Sequence, residues 1–184
     1  MNRLFIVILF SLLSTSTLYA QQVTNSNPVD SNSKLIEFLS AESYNVKKID
    51  STNYVILVGN VKIRQGKTLL YGDSLVLNST LNILEGFGKV HINDADSVHT
   101  YADYLKYVGN EKKAFLRKKV KLTDGKGVLT TDSLDYDVSI KMGHYNKGGK
   151  LIRNKTILKS VEGYYYGVTR DVIDRKSTRL NSSH

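Results

Sequence analysis

The chain has 184 residues, a formal net charge of +9, no cysteine and a single proline. That length suits one domain, and the lack of cysteine excludes a disulfide framework and any metal site built on thiolates. Whatever holds this protein together must be its sheet, its core or both.

The first element is a leader. Arg3 supplies a positive start, residues 4–13 form an apolar run of ten, and "STLYA" ends on Ala20 before the polar stretch "QQVTNSNPVDSNS". Ten apolar residues are too few to span a bilayer, so residues 1–20 read as a cleaved secretory signal, with Leu18 an imperfect fit at the −3 position. The alternative is an uncleaved membrane anchor. Either way the remainder leaves the cytoplasm, which disfavours nucleic acid as a partner. Residues 21–35, which contain Pro28, read as a disordered polar leader.

"SKLIEFLSAE" (33–42) carries a possible cap at Ser33 and Leu35, Ile36 and Leu39 on one side of a possible helix. Its end is nevertheless in phase with the later repeats, so it reads as a loop leading into a strand. From there two motifs recur. Acidic residues at Glu42, Asp73, Asp103, Asp132 and Glu162 are separated by steps of 31, 30, 29 and 30, each before alternating apolar residues such as "YGDSLVL", "YADYLKY" and "TTDSLDY". Between them "VGNVKI", "GFGKVHI", "RKKVKL" and "GGKLI" place Val61, Val90, Val120 and Leu151 at steps of 29, 30 and 31. One period shared by two motifs marks a stacked array whose units cannot bury their apolar faces alone.

Alternation with a period of two makes these motifs strands. Asp73, Leu75 and Leu77 fall on one face, as do Asp103, Leu105 and Tyr107, and Asp132, Leu134 and Tyr136. Val61 with Ile63, Val90 with Ile92 and Val120 with Leu122 do the same, with Lys62, Lys89 and Lys121 opposite. "NSTLN", "NDADS", "GNEKK", "DGKG" and "NKGG" supply turns. Each unit is then two strands, and stacking would gather the acidic-motif strands into one sheet and the valine-motif strands into another, facing it. Alternation alone does not choose between a parallel coil and an antiparallel zigzag.

The recurring carboxylate reads first as an acceptor for turn N–H groups or nearby hydroxyls, with a cation shared between stacked carboxylates as the minor alternative. A repeat offers like environments, whereas acid–base catalysis needs unlike ones, and no nucleophile elbow, phosphate loop or metal helix occurs. His91, His99 and His144 lack ligand spacing. The chain therefore reads as a non-enzyme without metal or cofactor. In "GYYYG" (163–167), Tyr164 and Tyr166 face one side and Tyr165 the other, as packing or as the mouth of an apolar groove. Two basic runs, one from Lys112 to Lys121 and one from Lys147 to Lys159, read as solvated faces or as attraction to an anionic partner. "RKSTRLNSSH" (175–184) breaks the alternation and resembles adapter-derived tails, so it reads as non-native, the alternative being a genuine disordered terminus. Without Arg3, Arg175, Lys176 and Arg179 the charge falls from +9 to +5.

The ordered succession "LVGNVKI…LLYGDSLVLN…FGKVHI…TYADYLKY…LRKKVKLTD…LTTDSLDYD…GHYNKGGKL" resembles OstA-like proteins, the family that includes the periplasmic lipopolysaccharide-transport protein A. With "DSLDYD", "NKGGK" and "GYYY" it is most similar to the OstA-like proteins of Bacteroidetes-type bacteria. The likeness covers most of the segment 36–174, taken as the β-repeat domain and as truncated by the tail. It implies an all-β, β-jellyroll-like stack of two facing antiparallel sheets, open at the ends. It implies a periplasmic role in carrying lipopolysaccharide to the outer membrane, with acyl chains between the sheets. It also implies pairing through edge strands, either with other transport proteins of the same fold or head to tail as a homo-oligomer. Under that reading the candidate groove residues are Val61, Ile63, Leu75, Leu77, Val90, Ile92, Leu105, Tyr107, Val120, Leu122, Leu134 and Tyr136. The same residues would form an ordinary closed core in the competing reading, a structural β-repeat module binding protein or glycan at the cell surface.

Overall fold

The computed structural model describes residues 36–181, with side chains described from 36 to 175. The expected signal segment and polar leader lie outside the described residues. Twelve strands succeed one another: β1 (Ile36–Ser40), β2 (Ser43–Ile49), β3 (Thr52–Gln65), β4 (Thr68–Asn78), β5 (Ile83–Asp94), β6 (Val98–Val108), β7 (Lys113–Thr123), β8 (Val128–Asp137), β9 (Met142–Tyr145), β10 (Gly149–Arg153), β11 (Thr156–Tyr166) and β12 (Asp171–Asn181). All pairings are antiparallel, which settles the choice that alternation left open in favour of the zigzag. The segment expected as a loop before residue 40 is strand β1, hydrogen-bonded to β3 with Phe38 opposite Ile63. β12 runs through Asn181, so the backbone beyond residue 175 continues the ladder.

The two motifs do not sort into separate sheets. Acidic-motif and valine-motif strands alternate as neighbours along one ladder, β3-β4-β5-β6-β7-β8. Two layers arise instead because alternate strands of the ladder, β3, β5 and β7, carry a bulge at the same level. On β3, Gly59 and Asn60 take φ of 79° and 48°; on β5, Gly88 and Lys89 take 66° and 45°; on β7, Lys118 and Lys119 take 63° and 51°. Each left-handed pair opposes a single residue: Val58 pairs with Ser74 and Val61 with Gly72, leaving Asp73 alone against two. Asp103 and Asp132 stand in the same relation to their partners. An extra residue in one strand bends it and sharpens the local twist. At the ends of the ladder the same level is crossed by breaking the strand, between β1 and β2 and between β9 and β10, so the twelve strands make ten passes over one corner.

The thirty-residue beat of carboxylates is the corner itself. Asp73 pairs with Lys89 at 3.3 Å and Asp103 with Lys119 at 3.1 Å. Glu42 accepts from Asn60 Nδ2 at 2.5 Å, and Glu162 contacts His144 Nε2 at 2.9 Å. Asp73, Asp103 and Asp132 do not share the inward face of Leu75, Leu105 and Leu134, contrary to their parity. The bend resets the phase, so Gly72 and Leu75 both point inward while half the Asp73 side chain is in solvent. Gly88 serves two needs here: its φ is left-handed, and a β-carbon on it would overlap Asp73 Oδ2.

The corner divides the ladder into two arms. Inward rows on the first arm run Leu57–Leu75–Gly86–Leu105–Leu116–Leu134 and Val55–Leu77–Leu84–Tyr107–Ala114–Tyr136–Gly143–Tyr165–Val172. The second arm contributes Ile63–Leu70–Ile92–Thr100–Leu122–Leu129–Leu151–Leu158. Leu75, Leu116, Leu129 and Leu134 are 2% exposed or less. Among the described residues strands are the only regular elements, so the arms must cover each other. Each such leucine contributes about 1.5–3 kcal/mol by leaving water.

Candidate functional site

All twelve groove candidates lie in this one interior. Val61, Ile63, Leu75, Val90, Leu105, Val120, Leu122 and Leu134 are buried in it, and Leu77, Ile92, Tyr107 and Tyr136 are partly buried against it. The motif-based choice misses Leu57, Leu70, Leu84, Ala102, Ala114, Leu116, Leu129, Tyr145 and Tyr165. Leu116 shares its parity with Val120 and is legible from alternation, whereas Leu129, five residues before Leu134, is legible only once the phase reset at the corner of β8 is allowed for. Tyr165, not its neighbours, is the inward member of "GYYYG", at 2% exposure.

The interior is filled. A crevice of about 190 Å³ between the arms, lined by Leu122, Leu129 and Leu151 on one side and Tyr165 and Val172 on the other, is too narrow for a water molecule. A shallow dish of about 430 Å³ lies elsewhere, on the outer face of the first arm, over Tyr104, Lys106, Phe115 and Arg117. What the interior offers is therefore a continuous apolar seam between two surfaces hinged along one line, not a standing cavity.

Its two ends differ. Towards β1 and β2 the inward rows continue as Phe38, Tyr44 and Val46, which are 46%, 56% and 59% exposed. The Phe38 and Tyr44 rings meet edge to face at 6.0 Å, one from each arm. Towards β9–β12 the rows turn aromatic. Tyr145 hydrogen-bonds Ser160 at 2.7 Å, and Tyr165 donates to Asp124 Oδ2 at 3.2 Å. Burial pushes the Tyr107 and Tyr145 hydroxyls up. Burial first, then Asp94 and Asp137, pushes Tyr136 up to about 12. Tyr165 rises further, by burial and then the Asp124 carboxylate. These phenols stay neutral, and that of Tyr165 serves as a donor.

The basic runs are dispersed by the fold. Arg117 lies on the outer face of the first arm against Asp135 at 2.6 Å, Lys118 and Lys119 sit at the corner, and Lys121 lies outside the second arm. There a single outward row reads Lys62–Tyr71–His91–Tyr101–Lys121–Thr130–Lys150–Lys159. The His91 ring stacks on Tyr101 at 4.4 Å and on Tyr71 at 5.2 Å, and its Nε2 lies 3.0 Å from His99 Nδ1. His91 and His99 thus meet, although their spacing gives no sign of it. Burial, then His99, lowers the His91 pKa. No group of three or more His, Cys, Asp or Glu that could hold a metal ion occurs among the described residues.

A family model described as OstA-like protein matches residues 33–184. The chain belongs to the OstA-like family. Among solved structures, this OstA-like chain is similar to the crystal structure of LptH, the LptA homologous periplasmic component of the conserved lipopolysaccharide transport device from Pseudomonas aeruginosa. The two share 18% identity and a TM-score of 0.50, over 57% of this chain and 77% of that one. At that identity the likeness is one of fold, and it agrees with the folded antiparallel ladder described above. No curated protein sequence matches the chain.

Proposed function

We propose that this OstA-like protein is a non-enzymatic periplasmic carrier that moves or bridges lipopolysaccharide towards the outer membrane, holding its acyl chains between the two arms. The observation that carries this reading is the seam: the inward row from Val46 through Leu77, Tyr107 and Tyr165 to Val172 crosses all ten passes, in a chain whose structural neighbour belongs to a lipopolysaccharide transport device. A tail of a dozen methylenes costs roughly 10 kcal/mol to expose, at ~0.8 kcal/mol per CH₂. Ladder hydrogen bonds run along each arm and across the corner rather than between the arms. The arms can therefore part about the corner without breaking the ladder, and the tail then takes the place of the facing leucines. Net positive charge suits phosphates on the headgroup. The edges at β1, β2 and β12 each pair on one side only among the described residues, and they suit strand addition by a partner of the same fold or a second copy.

The filled interior favours a second reading, a closed β-repeat module that binds protein or glycan through its edges and outer faces. Photocrosslinking in living cells from positions 75 and 105 separates the two. Labelled lipopolysaccharide attached at these inward positions supports the carrier, and adducts to protein alone select the module.

A further inference from the structure

We infer that the interior is one-ended: an acyl chain is accepted beneath β3–β6 and stopped at β8–β12 by a polar clasp joining the arms and a tyrosine filling the corner behind it. The inference rests on the carrier reading and adds to it where the chain can go.

The clasp ties turns of the second arm to the β11–β12 turn of the first. Asp124, 3% exposed, comes directly after β7. Its Oδ1 accepts from the backbone N–H groups of Lys126 at 2.9 Å and Gly127 at 3.1 Å, which fixes the turn. Its Oδ2 accepts from Tyr165 at 3.2 Å, and its backbone carbonyl accepts from Arg170 Nη1 at 2.9 Å. Lys126 Nζ donates to the Thr169 carbonyl at 3.0 Å. Arg153, at the end of β10, donates to the Arg170 carbonyl at 2.5 Å and pairs with Asp171 at 3.5 Å. Charge-assisted bonds across a mouth hold it shut against an apolar intruder, which offers no replacement partners. The clasp is nevertheless imperfect, because Arg153 Nε is buried without a partner. Opening the mouth would return that donor to water, so closure is a biased state and not a permanent seal.

Behind the clasp the space is occupied. The Tyr145 ring lies where a β-carbon on Gly149 or Gly163 would overlap it, and the Tyr136 hydroxyl lies 2.8 Å from the β-carbon position of Gly167. Glycines here give their volume to rings that are 1% exposed in the case of Tyr145, in contrast with the half-exposed Phe38, Tyr44 and Val46 at the other end. Of the twelve groove candidates, Leu134 and Tyr136 therefore lie behind the stop.

The test uses the full chain in cells, with photocrosslinkers at 75 and 105 before the stop and at 129 and 151 behind it, in the native sequence and in Asp124→Asn/Arg170→Ala. The purified proteins also carry spin labels at Ile152→Cys and Val168→Cys, which are unique because the native chain has no cysteine. The expected result is lipopolysaccharide adducts at 75 and 105 alone in the native sequence, a several-fold gain of adducts at 129 and 151 in the clasp variant, and a broadened label distance in that variant. Adducts at all four positions of the native sequence overturn the stop and leave the carrier standing. A clasp variant that keeps both the native adduct pattern and a narrow distance overturns the clasp. Lipid adducts at none of the four positions overturn the carrier and this inference together.

Discussion

Leu75 and Gly86 face each other across the β4–β5 ladder, and their coupling tests the packing of the seam quantitatively. Leu75 is 1% exposed, and its Cδ2 lies 3.5 Å from the β-carbon position of Gly72 and 3.0 Å from that of Gly86. Leu75→Ala empties a space flanked by two residues with no side chain to move in. Its cost should therefore fall in the upper part of the range for buried leucines, about 3–5 kcal/mol. Gly86→Ala adds a methyl 3.0 Å from Leu75 Cδ2 and 3.3 Å from Val90 Cγ2. Overpacking of that kind costs ~1–3 kcal/mol, offset by ~0.4–1 kcal/mol from a stiffer unfolded chain. In the double variant the new methyl enters the vacated space, so the two costs should fall short of additivity by about 1 kcal/mol or more. Urea unfolding of the four proteins, monitored by circular dichroism because the chain has no tryptophan, measures the cycle. Additivity to within ~0.5 kcal/mol would refute the direct contact between these two positions and with it the inward row they share.

Three further outcomes are expected. Lys118→Gly should raise stability by ~0.5–1.5 kcal/mol, because a left-handed backbone penalises a β-carbon at that corner; a loss in urea midpoint would show that the lysine side chain outweighs the strain. Tyr165→Phe should cost ~1–3 kcal/mol, since Asp124 keeps its burial and loses a donor; a neutral change in thermal unfolding would mean that water replaces the hydroxyl freely. His91 titrates below its ordinary value in the folded chain, so the unfolded chain binds the proton first. Its contribution is fully present above about pH 6.5 and is lost as pH falls towards the lowered folded value. In His99→Gln that acid-side decline should shrink without vanishing, because burial, the larger cause, remains; an unchanged pH profile would mean that His99 does not act on His91.

The beat of thirty residues, the strand type and the twelve inward candidates are all legible in the sequence, because period-two alternation is a direct print of burial. The corner is not. A pair of left-handed residues leaves no mark on hydropathy, and only "GN" and "GK" hint at it at residues 59–60 and 88–89; at Lys118 and Lys119 the sequence shows nothing but charge. Carrying parity straight across the corner on β4, the strand opposite such a pair, puts Asp73 inside with Leu75 and splits one ladder into two sheets. Strand β1 reads as a loop because its partner, the far half of β3, only comes within reach once β3 has bent. The clasp escapes altogether: Asp124 and Arg170 are 46 residues apart, and each belongs to a turn that composition alone marks as solvent-exposed.

A ladder folded along one corner lengthens only sideways. Each thirty-residue unit adds two passes, about 9.5 Å of width at the usual spacing between strands. That is a costly way to cover distance, near a third of an ångström for every residue against ~1.5 Å in a helix. Bend angle and depth are left unchanged by the addition, so reach and cross-section are set independently. A duplicated or deleted unit would alter how far such a protein extends without altering what fits inside it.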